Sequence, residues 1–461
     1  MPPDYFTRRY GSTFYIFPAF LPLVELLPWF LTLLSALAGG TQLVSNVIWR
    51  RKMLRYVALL ASIGFFTAAG WIVWQRKANQ PMEAIGSELL ETMPILESFS
   101  TQRRQFLPTN NLQPLTQLWK VKTPHRNLGK PLVHNGILLV GTWDATLDAF
   151  DAVDGHSLWS LQKRQPVFTP PAIAGGRIYI GEGYHTSPVC ELTALSLDGV
   201  PQWTRRFRSH LESYPVVDVS RNRLWYSGGA TGLWALSVDK GEKLWWQKLG
   251  HMDVPPLYSE GRLFAIAKLK EDADGVAVFE LNPDDGDIKW KTPLEGNTMG
   301  SIWRSGERMY LSTAHGQVGA LKSTDAGWAY SLKLDGAVSW KVKLPAMPLP
   351  EGTLSRDGSL LFYTLKDGTM MALRTQDGSV AWREKIGDEI LTDIALMESV
   401  ADSFVIAIAT DGNVSVREIK TGKEYVHFSV ENGHSSPIYA DGILYIVTPS
   451  TISSYAGFGA H

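Results

Sequence analysis

Cysteine is nearly absent and neither sign of charge prevails. Cys190 is the one thiol in 461 residues, so no internal disulfide can form and no paired-cysteine motif offers structural zinc or dithiol chemistry. Lys and Arg number 44 against 45 Asp and Glu, a net charge of −1, which withholds the broad basic surface that nucleic acid or another polyanion would need. The chain has no GxxxxGK[ST] phosphate loop, no GxSxG nucleophile elbow, no HExxH zinc helix and no dinucleotide-binding glycine fingerprint. What it does have is apolar and aromatic. Hydrophobic residues make up 45% and charged residues 19%, with 41 Gly and 17 Trp, which excludes a mainly disordered chain and supplies material for a large core.

Residues 1–77 read as a membrane anchor. Residues 56–74 hold no charge and are bounded by Arg55 and by Arg76 and Lys77; at 1.5 Å rise per residue this run matches a hydrocarbon layer of about 30 Å. An earlier apolar stretch, residues 14–38, contains Pro18, Pro22, Pro28 and Glu25, so it either spans with a kink or re-enters, giving one or two transmembrane helices. Glu25 is a carboxyl near the interface or a polar contact with a partner's transmembrane helix. A cleavable signal peptide fits badly, because the first apolar stretch starts late and is followed by a second one. Arg50, Arg51, Lys52 and Arg55 precede the second stretch while Arg76 and Lys77 follow it, a bias that Arg8 and Arg9 dilute but that leaves everything after residue 77 outside the cytoplasm.

Residues 78–114 form a linker. Ile85, Leu89, Met93, Leu96 and Phe99 fall on one face of an amphipathic helix, suited to packing on the following domain or to docking a partner.

From residue 115 to 461 the chain repeats. A tryptophan stands four residues after a turn glycine at Trp159, Trp203, Trp245, Trp290, Trp340 and Trp382, and a seventh copy places Val426 in the same position; successive intervals are 44, 42, 45, 50, 42 and 44 residues. Within each unit, β-branched and aromatic runs are separated by turn pairs such as Asn135-Gly136, Gly175-Gly176, Glu260-Gly261, Asp357-Gly358 and Asp441-Gly442, the pattern of a four-stranded antiparallel meander. One meander cannot bury both faces, so the units must stack, and a closed ring removes most sheet edges. The last unit, residues 437–455, stops after its third strand, while residues 115–123 carry an orphan Trp119. Joining the two predicts an all-β, eight-bladed β-propeller; seven blades with ragged ends is the alternative count.

These residues, ILLVGTWDATLDAFDAVDGHSLW among them, resemble the pyrroloquinoline-quinone-like propeller repeat over residues 115–456. The resemblance implies that Trp119, Trp159, Trp203, Trp245, Trp290, Trp340 and Trp382 wedge flat between blades, each stabilising by about 1.5 to 3 kcal/mol on burial. Two branches matter. Membrane quinoprotein dehydrogenases hold the quinone and a Ca²⁺ ion in the propeller; the outer-membrane assembly lipoprotein BamB uses it without cofactor. This chain lacks vicinal cysteines and an adjacent Asp-Asn pair, and its lone Cys190 lies too deep in the domain for a lipid anchor.

Strand alternation puts the hairpins between second and third strands on the same rim as the connections between blades. That rim is expected to carry Trp143, Tyr184, His185, Lys268, Lys270, His315 and Lys366, as a partner-binding ring or as ordinary solvated loops. His185, His315 and His434 fall in different blades and suggest no metal centre. The sequence thus points to a non-enzymatic propeller, without cofactor or catalytic residues, anchored by its helices in the lipid bilayer of the bacterial cytoplasmic (inner) membrane. Its propeller lies on the periplasmic side as scaffold or accessory subunit of a membrane protein complex. The alternatives are a divergent membrane-bound quinoprotein dehydrogenase and, more remotely, an envelope sensor.

Overall fold

The computed structural model describes residues 115–127, 130–184, 187–269, 275–315, 327–390, 394–398, 403–431 and 437–456. The expected anchor and linker, with Glu25, lie outside the described residues, as do His185, Lys270 and His434. Among the described residues there is no helix long and apolar enough to cross a membrane.

Apolar runs a few residues long, punctuated by turn pairs, set the architecture. Blade 1 consists of Leu132–His134, Ile137–Gly141, Thr146–Asp151 and Ser157–Gln162, hydrogen-bonded in chain order as an antiparallel meander. Its second and third strands are buried on both faces, which is why they read as continuous apolar runs, whereas the outer strand alternates between exposed and half-buried positions. The first hairpin turns on Asn135 (φ 48°) and Gly136 (φ 76°); a two-residue turn with both φ angles positive matches the twist of the strands it joins, and Glu260-Gly261 and Asp441-Gly442 repeat it. Blades 2 to 7 open at Ala172, Val216, Leu257, Thr298, Thr353 and Ala395 with the same strand order, and blade 5 divides its inner strand into Thr298–Met299 and Trp303–Ser305.

Blade 8 is made from both ends of the repeat region. Ile438–Ala440, Ile443–Val447 and Thr451–Ala456 supply three strands, and Thr116–Lys122 pairs antiparallel with Thr451–Ala456 as the fourth. The ladder runs from Thr116 opposite Ala456 to Lys122 opposite Thr451, with a bulge between Gln117 and Trp119. The core is divided accordingly. Each pair of adjacent blades shares its own apolar cluster, and the cluster uniting Leu138, Val140 and Phe150 of blade 1 with Tyr445, Val447 and Ile452 of blade 8 closes the circle.

The repeated tryptophans lie at these interfaces. Each indole rests on the glycine of the next blade's last turn, in the order Trp119 on Gly155, Trp159 on Gly199, Trp203 on Gly241, Trp245 on Gly286, Trp290 on Gly336, Trp340 on Gly378 and Trp382 on Gly422. A Cβ on any of those glycines would come within 2.5 to 2.9 Å of the ring, and each glycine also has positive φ, so two independent demands exclude a side chain there. At five interfaces the indole Nε1 donates to a main-chain carbonyl of that same turn, at 2.7 to 3.1 Å: Leu197, Val238, Pro283, Thr375 and Ile419.

Two interfaces reach the equivalent carbonyl by another route. Trp290 Nε1 donates instead to Glu280 (2.7 Å), which holds Arg262 through two bonds of 3.0 and 2.6 Å, and Arg262 donates to Leu334 O at 2.8 Å. At the closure, Tyr445 Oη donates to Ala152 O at 3.1 Å while Trp119 contributes its ring. Between blades 7 and 8 no such turn exists, because the third and fourth strands of blade 8 are joined by no connection. An indole would have nothing to rest on, and Val426, like Leu115, Phe428 and Tyr455, packs instead against the apolar cluster shared by blades 7 and 8. The departure from the repeat at Val426 is therefore a consequence of where the ring is cut.

Trp203→Ala is expected to lower stability by about 3 to 5 kcal/mol and Gly241→Ala by about 1 to 3 kcal/mol, whereas Val426→Trp brings no gain, as read from denaturant unfolding of the full chain. Burial works against the charge of Glu280, but hydrogen bonds from Arg262 and Lys289, with their charge, outweigh it and hold its pKa below the ordinary 4.5. Its contribution is therefore complete above that ordinary value and is lost as pH falls through the depressed folded-state value. Glu280→Gln should cost about 2 kcal/mol at neutral pH, and the difference from wild type should shrink steadily in acid unfolding series.

Candidate functional site on the connection rim

The outer strand of each blade runs toward one rim, where the chain crosses to the next blade beside the hairpin joining second and third strands. The crossings are tied to those hairpins by main-chain bonds: Val167 N to Thr142 O, Gly183 N to Pro166 O, Met252 N to Gly229 O and Lys366 N to Met347 O, all at 2.8 to 3.1 Å. The wedge glycines and the first hairpins of the blades lie at the opposite face. The candidate site is therefore built from loops whose backbone is fixed by the ring.

Of the residues expected on this rim, Trp143 and Tyr184 meet. Trp143, in the second hairpin of blade 1, stands edge-on to Phe168 with centroids 4.7 Å apart; Phe168 lies 5.0 Å from Tyr184, and Trp143 is 6.1 Å from Tyr184. Phe168 belongs to the crossing from blade 1 to blade 2, so one aromatic patch bridges two blades. The Arg126 guanidinium lies over Trp143 at 5.9 Å, and Tyr184 is 37% exposed, which gives the patch a cationic edge and an open face.

The other expected residues stand apart. Lys268 ends the strand Arg262–Lys268 and is buried rather than presented to solvent. His315 is half-buried with its ring edge-on to Trp328 at 4.7 Å. Lys366 faces Glu389 at 3.7 Å. Below the aromatic patch, Lys163 is buried with its Nζ 2.7 Å from Thr193 Oγ1, 3.4 Å from Glu182 and 4.0 Å from Glu191, and Arg206 Nε donates to Glu191 at 2.8 Å. Burial pushes the Glu182 carboxyl above its ordinary range despite Lys163, and the Cys190 thiol behind it is pushed up to about 12, so Cys190 is an inert core group.

A second constellation on the rim was not foreseen from the sequence. His210 sits in the crossing from blade 2 to blade 3 and His251 and Asp253 in the next crossing, and both rings converge on one carboxylate. His210 Nε2 is 3.0 Å from Asp253 Oδ1, His251 Nε2 is 2.7 Å from Oδ2, and the ring centroids are 5.0 Å apart. Burial alone would raise the pKa of Asp253, but the bonds from His210 and His251, with their charge, hold it well below the usual carboxylate range. The crossings themselves are pinned: Ala230 N donates to Ser209 Oγ at 3.1 Å, and His251 and Lys268 exchange two main-chain bonds of 2.9 and 3.0 Å. The only available sequence signal was that both crossings carry histidine, at positions 41 residues apart that one blade repeat brings side by side.

At the axis, Lys130 ahead of blade 1 reaches Glu351 ahead of blade 6 at 2.9 Å. These blades are not neighbours in the ring, so the pair crosses the mouth of the axial opening.

Comparison with known proteins agrees with this geometry. Among curated proteins, the outer membrane protein assembly factor BamB of Yersinia pestis is 22% identical over 229 residues, 46% of this chain and 56% of that protein. The chain thus matches about half the length of that relative. Among solved structures, a europium-containing methanol dehydrogenase superposes with a TM-score of 0.59 at 12% identity, covering 78% of this chain and 97% of the other. The quinohemoprotein alcohol dehydrogenase of Comamonas testosteroni gives 0.58 at 12% identity, covering 79% and 80%. At such identities these two speak for the propeller fold alone. The family model described as outer membrane protein assembly factor BamB matches residues 112–230, 190–329 and 230–456, from the closing strand to the last strand of the ring. With its eight blades and its repeat accounted for, the chain belongs to that family of pyrroloquinoline-quinone-like repeat propellers.

Proposed function

We propose that the chain is a non-enzymatic accessory propeller of an outer-membrane assembly complex in the bacterial envelope, tethered through residues 1–77 to the cytoplasmic membrane and binding a protein subunit with its connection rim. The family match across residues 112–456 carries this reading. The rim supports it: a rigid ring presents the aromatic patch of Trp143, Phe168 and Tyr184 with Arg126 at its edge, and aromatic and arginine side chains held on a fixed scaffold are the groups that anchor protein interfaces.

The dehydrogenase reading rests on the fold it shares with quinoprotein enzymes. The ion pair described at the axial mouth speaks against that cofactor. A quinone bearing several carboxylates needs an open mouth and a cation facing it, whereas Lys130 is engaged by Glu351 across the mouth. The purified full chain mixed with the quinone and Ca²⁺ should develop no absorbance band and no dye-linked oxidation of alcohols or sugars; either signal would reinstate the enzyme.

The scaffold reading is tested by photo-crosslinking in intact cells. A crosslinker at Tyr184 should capture a subunit of the outer-membrane assembly machinery, identified by mass spectrometry, while one at Val153, on a turn of the opposite face and 79% exposed, should not. Trp143→Ala should reduce the Tyr184 adduct by about tenfold. Equal capture from both faces, or none from either, sinks the proposal.

A further inference from the structure

We infer that His210, His251 and Asp253 form a binding site for one divalent transition-metal ion of the Zn²⁺ class at the crossing between blades 2, 3 and 4. One imidazole nitrogen from each histidine and one carboxylate oxygen lie within 4.8 Å of one another. Donors on a four-coordinate Zn²⁺ at bond lengths of about 2.0 to 2.1 Å stand roughly 3.4 Å apart, so the observed separations of 3.0 and 2.7 Å from each ring to the carboxylate need only open slightly. Two nitrogens and one oxygen suit Zn²⁺ and its first-row neighbours, and disfavour Ca²⁺ and Mg²⁺, which take oxygen donors.

The surroundings support a site rather than a chance cluster of polar groups. The donors come from two crossings that the ring itself positions, that of His251 and Asp253 pinned by main-chain bonds and that of His210 by the bond from Ala230 N to Ser209 Oγ, so little ordering entropy remains to be lost on binding. Gly229, in the second hairpin of blade 3, faces His210, and a Cβ there would lie 2.9 Å from Nε2; the missing side chain leaves room beside the donor nitrogen. The side chain of His210 is 9% exposed while those of His251 and Asp253 are 21% and 23% exposed, so the cluster is shielded from behind and open toward the rim. Both rings direct Nε2 at the Asp253 carboxylate. Binding the ion requires each Nε2 to give up its proton so that its lone pair can face the metal. Three protein donors leave a fourth position facing the rim for water or for a side chain of a docked partner.

The test uses the full chain with a histidine-free affinity tag, stripped with chelator and dialysed against Zn²⁺ as the sole added metal. The expected result is one Zn²⁺ per chain after gel filtration, a higher thermal midpoint with Zn²⁺, and visible bands of four-coordinate Co²⁺ on substitution. Asp253→Asn and His251→Gln, two near-isosteric changes, should each weaken binding on the order of a hundredfold while the metal-free melting curve still shows a cooperative transition. If the stripped wild-type chain takes up no stoichiometric Zn²⁺, or if a His210→Ala/His251→Ala double variant retains it equally well, the site does not exist and the cluster is a hydrogen-bonded latch between crossings.

Discussion

The ring depends on one repeated contact, an indole laid on a glycine in the neighbouring blade with a polar donor reaching the carbonyl at the neck of that turn. The contact satisfies three demands together: it buries the largest side chain available, it fills the gap left by splayed outer strands, and it pairs a main-chain acceptor that would otherwise be lost at a closed interface. The carbonyl is the more constant half of the arrangement. Where the indole turns to Glu280, Arg262 takes over the acceptor, and at the closure Tyr445 does so. At the one interface without a turn the wedge itself is replaced by Val426.

This contact also divides the labour between the two faces. The wedges and their turns occupy one face, so the other is released from holding blades together and its loops are free to carry chemistry. What appears there is heterogeneous: an aromatic patch over blades 1 and 2, a buried Lys163 network beneath it, an imidazole–carboxylate cluster over blades 2 to 4 and an ion pair across the axis. Among the described residues none of these repeats around the ring, in contrast to the wedges. A feature found once in eight similar units is not needed for stacking, and that is the physical ground for seeking function on the rim.

How much of this was legible in the sequence follows from how local each interaction is. The glycine-to-tryptophan spacing and the positive-φ turn pairs are set within a few residues, so the blades, their number and the closing strand could be read directly. The partners of Trp143 could be read only in part: Tyr184 lay on the same rim by strand alternation, but Phe168 belongs to a crossing whose path only the ring defines. His210, His251 and Asp253 were missed because their meeting depends on the angle between successive blades. The same angle buries Lys268, which a loop-by-loop reading places in solvent. The replacement of an indole bond by Arg262 and Glu280 is likewise a matter of three strands of one blade and a turn of the next, and leaves no mark in the repeat.

The strand Thr116–Lys122 enters blade 8 from the wedge face and ends at the rim, paired along its length with Thr451–Ala456. A load arriving through Leu115 along the direction of that strand would pull it parallel to its partner, so the rungs of the ladder resist in shear together instead of opening one after another. The place where the ring is closed by strand pairing alone is thereby oriented as a mechanical clasp toward whatever precedes residue 115.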